Sequence, residues 1–450
     1  MKDNTENLNL KSIRDSNVRL HSYLTFFLKS ISVVTNFALV PITIKFFGVE
    51  SFGLYLTLIS IASWLSFIDI GISFGFRNKL AEAYANKDYK LSRIFVSTTY
   101  ALVGIIGLTT FSILLLINSF LDWQIVLNST IETKEYLRYT AVLVLIFTIL
   151  NYITKLINVV LYATQSASVP VGINLISNLF ILITLYFGAD LIKPSLFNLV
   201  LIYSIPLTLS LTLTTFFLFT KKYSLIKPSF SKVRFDHTKS IVNLGVKFFI
   251  LQIEIIILFH AANFFIIQFF GPLEVSQYAT ATRYFSIIQL VFALIMNVYW
   301  SAVTDAITKD DYDWIRRSVS SILRRFFLIL PLSICMFFFS EIFFEIWLGD
   351  KLTIPYKLSF ACFCTGILAA WNSIFEYILN GASKIFVMSI CAIVTIIIFV
   401  PLVYLYVNYL GMGPEGIVFS IITCQLINSF VTPYQYYLVI NKKDTGIWSR

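Results

Sequence analysis

Twelve long apolar runs, separated by short polar segments, set the pattern of this chain: 23–47, 52–76, 94–119, 137–162, 169–188, 196–220, 247–270, 275–303, 326–348, 355–380, 385–410 and 416–440. Each approaches or exceeds the roughly 20 residues that a helix needs to cross about 30 Å of hydrocarbon. Strands of a membrane barrel would instead alternate apolar and polar positions in segments of about ten. The pattern predicts an all-α polytopic membrane protein with twelve transmembrane helices. An even number places both termini on one side.

The polar segments say which side. With the N-terminus in the cytosol, the inner segments hold 25 of the 34 Lys and Arg residues, and the outer ones hold only Lys134, Arg138, Lys193, Lys351 and Lys357. Cytosolic loops of membrane proteins carry the excess of cations, so both ends are expected inside. On this reading 1–22 is a cytosolic tail without a signal-peptide cleavage pattern, 23–220 a first six-helix bundle, 221–246 a basic cytosolic linker, 247–440 a second six-helix bundle and 441–450 a cytosolic tail. A trace of duplication supports the halving. Phe46, Phe47, Gly48 and Tyr55 recur as Phe269, Phe270, Gly271 and Tyr278 at a constant offset of 223 residues, which sets Lys29 against Gln252 and Lys45 against Gln268. Six helices per half imply bundles related by an axis along the membrane normal.

Composition agrees and removes alternatives. With 58% hydrophobic and 13% charged residues and a mean hydropathy of +0.81, the chain is outside the range of soluble globular proteins. The net charge of +10 would suggest nucleic acid in a soluble protein, but topology accounts for it here and no nucleic-acid partner is expected. Cys335, Cys362, Cys364, Cys391 and Cys424 all fall inside apolar runs without a CxxC pair, as packing residues do, so neither disulfides nor a metal site is expected. Walker, HExxH and nucleophile-elbow motifs are missing from plausible places, and no outer connection exceeds about 18 residues. An enzyme with an outer catalytic lobe, such as a glycan polymerase, is therefore not expected, nor is any cofactor.

The remaining chemistry lies in polar residues within the runs. A charge at the centre of a membrane helix costs roughly 2.5–3.5 kcal/mol on insertion scales, so each must pair, snorkel or face a cavity. In the first run Lys29, Ser32, Asn36 and Thr43 form a polar stripe, while Lys45 lies near the outer surface, where snorkelling suffices. The second run places Tyr55, Ala62, Ser66, Asp69 and Ser73 on one face, with Arg77 at its exit and Gly71 and Gly75 as a GxxxG. Lys155 shares a face of the fourth run with Asn151 and Asn158. Arg283 lies deep in the eighth, with Asn297 and several Ser and Thr residues roughly on its face; arginine keeps its proton, so this depth implies a partner or a watery cavity. Glu254 and His260 in the seventh are the candidates for coupling to H+ or Na+. Glu376 shares a face with Asn372 and Asn380 in the tenth, near the cytosolic end, where capping and solvation account for it.

The segment from Phe46 to Asp88 carries a resemblance. Its Phe-Gly and acid before Phe52-Gly53-Leu54-Tyr55, then Asp69-Ile70-Gly71, Gly75, Arg77-Asn78 and a short Ala-rich helix, resemble the amino-terminal signature of the polysaccharide and O-antigen repeat-unit flippases (Wzx-type) of the multidrug, oligosaccharidyl-lipid and polysaccharide exporter superfamily. The resemblance implies a V-shaped, MATE-like pair of bundles in the bacterial inner membrane that opens alternately to each side. The cargo it implies is an undecaprenyl-diphosphate-linked oligosaccharide for O-antigen, capsule or exopolysaccharide, with a glycan polymerase and chain-length proteins as partners beside membrane lipids. Arg283, Lys29, Arg77 and Lys155 would be the cations that meet the diphosphate, with Asn36, Asp69 and Asn297 as polar lining. A drug or metabolite cation antiporter, or a lipid II flippase of the same superfamily, is the alternative.

Overall fold

The computed structural model describes residues 2–65, 71–164, 166, 168–188, 191–238, 249–251, 253–308, 310–382 and 384–449. Among them the chain is helical throughout, with no strand. It divides into two compact units, Met1–Val126 with Thr130–Phe249, and Leu127–Ser129 with Ile250–Arg450.

In the first unit α1 (Lys2–Phe47), α2 (Val49–Ser63), α3 (Ile72–Ala85), α4 (Tyr89–Phe120), the short α5 (Trp123–Val126), α6 (Lys134–Thr154), α7 (Leu156–Ala163), α8 (Ser168–Phe187) and α9 (Leu196–Thr220) follow in order. The polar residues ahead of the first apolar run are continuous with it in α1, and Pro41 sits inside that helix. The helices begin where the sequence offers a cap: the side chains of Asp88, Thr133 and Ser195 accept from Leu91, Tyr136 and Asn198 amides at 2.9, 3.3 and 3.3 Å. α1 packs on α8, α4 on α6 and α6 on α9, while α3 turns Ile72, Phe76, Leu80 and Ala83 onto a core shared with α4 and α7.

The second unit holds α10 (Phe249–Phe269), α11 (Pro272–Thr308), α12 (Tyr312–Phe338), α13 (Ser340–Leu348), α14 (Tyr356–Gly381), α15 (Phe386–Tyr404) and α16 (Pro414–Ile440). α14 packs against α11, α12 and α16, and α15 against α16. The α11–α14 approach is close enough that a Cβ at Gly366 would stand 2.9 Å from the Phe285 carbonyl oxygen. Among the described residues ten helices are long and apolar enough to cross a membrane, with α2 as a shorter apolar helix. α11, at 37 residues, covers the remaining run. The chain is thus a multi-pass membrane protein, consistent with twelve helices.

One expectation needs correction. The second apolar run is not a continuous helix carrying a single polar face: α2 ends at Ser63, and α3 starts after Gly71, whose φ of 72° is left-handed. The duplicated half shows the cause. At the same offset of 223 residues the position of Gly71 is Leu294, and α11 runs through it unbroken. Elsewhere the repeat is closer than the first motif suggests. Gly48 and Gly271, at φ of 87° and 117°, both turn the chain between consecutive helices. Lys87 and Asp310 both have φ of 57°. Each is followed by an aspartate, Asp88 or Asp311, that caps the next helix and whose amide reaches back to Ala83 or Ala306 at 3.0 and 2.9 Å.

Candidate functional site

Glu254 stands on α10 just ahead of a π-helical turn, Ile256–His260. Such a turn adds a residue to the helix and re-aims the side chains around it, and it recurs at functional sites. Glu254 is only 8% exposed. Its Oε1 accepts from Thr395 Oγ1 of α15 at 2.8 Å and from Asn428 Nδ2 of α16 at 3.2 Å. Thr395, fully buried, also lies 2.9 Å from the Ala392 carbonyl. Its single hydroxyl proton can serve either oxygen, so it can follow a change in charge at Glu254.

α14 completes the cluster. Asn372 donates to the Gln425 carbonyl at 3.1 Å, and its Oδ1 accepts from Ser429 at 2.8 Å, which fastens α14 to α16. One helical turn on, half-buried Glu376 lies within electrostatic reach of Glu254. The side-chain oxygens of Asn380, Gln425 and Asn428 are buried with no hydrogen-bond partner. Buried polar atoms are almost always paired, so such orphans call for an explanation. All three are acceptors, and what they lack is a donor. At Glu254 itself the groups brought together are one carboxylate, the Thr395 hydroxyl and the Asn428 amide. Among the described residues no three His, Cys, Asp or Glu side chains converge as a transition-metal site would require. In the repeat register the counterpart of Glu254 is Ile31, so this carboxylate belongs to the second half alone.

The other sequence candidates are dispersed. His260 closes the π turn, half-buried, and the hydrogen bonds of Glu254 go to Thr395 and Asn428 instead. Arg283 is half-buried on α11, and its carbonyl accepts from Ser286 at 2.8 Å. Lys29 is half-buried on α1, and Asn36 turns an amide proton to the Ser32 carbonyl at 2.8 Å. Arg77 lies over the Tyr162 ring, 5.3 Å from its centroid. Lys155 is exposed at the break between α6 and α7, and its expected neighbour Asn151 instead accepts from Thr208 of α9 at 3.0 Å. Asp69 lies outside the described residues, as does the side chain of Asn297. Glu376 is the correction in the other direction. Its face with Asn372 is turned to buried partners, not to the solvent expected of a helix end. The four-residue spacing of Asn372, Glu376 and Asn380 was the signal. It shows a polar face but not what that face meets.

No protein-family model matches the chain, and no curated protein matches it. Solved structures do. An inward-facing multidrug resistance MATE family transporter of the MOP superfamily superposes with a TM-score of 0.77 at 14% identity, over 94% of this chain and 98% of that one. Lipid II flippase MurJ in an inward closed conformation gives 0.67 at 16%, over 93% and 87%. A mutant of the Vibrio cholerae MATE transporter VcmN gives 0.66 at 12%, over 97% and 100%. The fold is MATE-like along essentially the whole chain.

Proposed function

We propose that this chain is a cation-coupled flippase that carries a polyprenyl-diphosphate-linked oligosaccharide from the inner to the outer leaflet of the bacterial plasma membrane. The observation that carries the coupling is Glu254, a buried carboxylate joined to Thr395 and Asn428 just ahead of a π-helical turn. A carboxylate in hydrocarbon is stable only when paired, protonated or ligating a cation. Loading and unloading Na+ or H+ there changes the charge at a junction of α10, α14, α15 and α16. A charge change at a helix junction is the kind of event that biases a two-state transporter. The MATE-like fold supports a transporter over an enzyme.

The cargo reading rests on cations and on the amino-terminal signature. A diphosphate needs counter-charge to cross hydrocarbon, and Arg283 and Lys29 are each cations carried on membrane helices that would supply it. A drug-cation antiporter would place acids where these cations stand. The test is genetic. Deleting the gene should abolish surface glycan and build up lipid-linked oligosaccharide in the inner leaflet. Arg283→Ala should reproduce the loss at normal protein abundance, and Glu254→Gln should remove the dependence of transport on the cation gradient. Normal glycan display in the deletion strain, with changed drug resistance or arrested peptidoglycan synthesis, would replace this cargo with a drug or with lipid II.

A further inference from the structure

The basic linker after α9 is built as a shelf. Tyr223 and Ile226, 1% and 0% exposed, enter the core of the first unit, and the Tyr223 hydroxyl meets Thr164 Oγ1 at 2.7 Å. The next residues are stitched to α4. Arg93 Nε donates to the Lys227 carbonyl at 2.9 Å, the Ser229 amide to Ser97 Oγ at 3.0 Å, and the Arg234 amide to Thr98 Oγ1 at 3.0 Å. Three short 3-10 turns fill the segment. What this anchoring turns outward is apolar: Leu225 is 65% exposed, Phe230 95% and Phe235 55%. Around them Lys221, Lys222, Lys227, Lys232 and Arg234 are exposed, and the only acid of residues 221–236 is Asp236.

The height of the shelf follows from α4. Its 32 residues make a rod of about 48 Å, longer than the ~30 Å hydrocarbon layer. Residues 94–120 are uncharged and at about 40 Å exceed the hydrocarbon layer, so the span has a turn or two to spare at its ends and Tyr89–Arg93 project on the cytosolic side. The linker lies against Ser97–Ala101 near the cytosolic end of that stretch, and its own charges hold it at the level of the lipid headgroups. There Tyr100, Ala101, Pro228, Phe230 and Val233 line a cleft of about 270 Å3 between helix and linker. The Tyr100 hydroxyl is buried without a partner.

We infer that this cleft and the cations around it form a binding site for an anionic phospholipid of the cytosolic leaflet. The phosphate sits among Lys227, Lys232 and Arg234, and an acyl chain follows the Tyr100 and Phe230 walls. Topology alone explains why the cations are cytosolic. It explains neither the 95% exposed phenylalanine among them nor the hydrogen bonds that hold it at headgroup height. Anionic leaflets attract juxtamembrane cations, each favouring binding by roughly fivefold. The site is independent of the transported cargo.

Native mass spectrometry of the full-length protein, titrated with phosphatidylglycerol or phosphatidylcholine, tests it. Wild type should retain phosphatidylglycerol in preference, and Lys227→Gln/Lys232→Gln/Arg234→Gln should lower that preference by roughly a hundredfold. Phe230→Ser should weaken retention of both lipids, while Arg324→Gln/Arg325→Gln, on α12 away from the linker, should change neither. A wild-type measurement needs no variant: amide exchange of 221–236 should slow in phosphatidylglycerol nanodiscs relative to phosphatidylcholine. Equal retention of the two lipids, an unaltered preference in the triple variant or identical exchange would overturn the site. Displacement of the lipid by inorganic phosphate would reduce it to a phosphate site.

Discussion

Thr395→Val isolates the coupling chemistry with the least disturbance. Valine keeps the branched shape of a residue that is fully buried and removes only the hydroxyl that donates to Glu254 at 2.8 Å. A hydrogen bond to a charged group contributes about 1.5–3 kcal/mol. On the proposed coupling, Thr395 would hold the carboxylate in place for the cation, and the loss would then fall on cation binding. At about 1.4 kcal/mol per decade, the sodium dissociation constant should rise roughly ten- to hundredfold. Purified protein titrated with sodium reports it through thermal stability, since a ligand of the folded state raises stability as its concentration passes Kd. The matched control is Thr365→Val, whose hydroxyl donates at 2.9 Å to the Ala361 carbonyl of its own helix. An unchanged sodium midpoint in Thr395→Val, in wild-type-like protein whose transport also keeps its pH profile, would refute the role of this bond. An equal shift in Thr365→Val would trace the effect to helix mechanics.

Three further outcomes are expected. Gly366→Ala places a methyl 2.9 Å from a backbone oxygen of α11 and should destabilise the second unit by about 1–3 kcal/mol, read as a lower Tm. Gly48→Ala has open space around it but a φ of 87° and ψ of 159°, which glycine alone adopts readily, and should cost about 1–3 kcal/mol in the first unit by the same measurement. The Lys134 ammonium, 2.8 Å from Asp122, holds that carboxyl below its ordinary range. A lowered folded-state pKa stabilises above the unfolded value and is lost as pH falls through the folded one. The small Tm difference between wild type and Lys134→Gln at pH 7 should therefore vanish in acid below the ordinary aspartate range of about 4.

How much of the site the sequence revealed is clearest at Glu254 and Glu376. Its place in an apolar run marked Glu254 as a candidate for coupling, because a charge in hydrocarbon needs a reason to be there. Glu376 had the same signal, but its place near a helix end offered a sufficient bland reason, and only its buried neighbours remove it. Lys155 keeps its face with Asn151, since the Lys155 amide donates to the Asn151 carbonyl at 2.8 Å, but the sequence does not show that the Asn151 side chain is taken by Thr208 of α9.

The sequence by itself determined what depends on distance along the chain: the long apolar segments, their helical state and the repeat at a constant offset. Hydropathy and cation placement act locally, and the membrane turns them into topology without further information. Even the break after α2 is local, since Gly71 permits it and Leu294 in the second half does not. Only the tertiary structure decided which polar residues meet. Thr395 and Asn428 lie 141 and 174 positions from the glutamate they hold. Helical periodicity tells where a side chain points around its own axis, but the neighbour it reaches is set by how the helices pack.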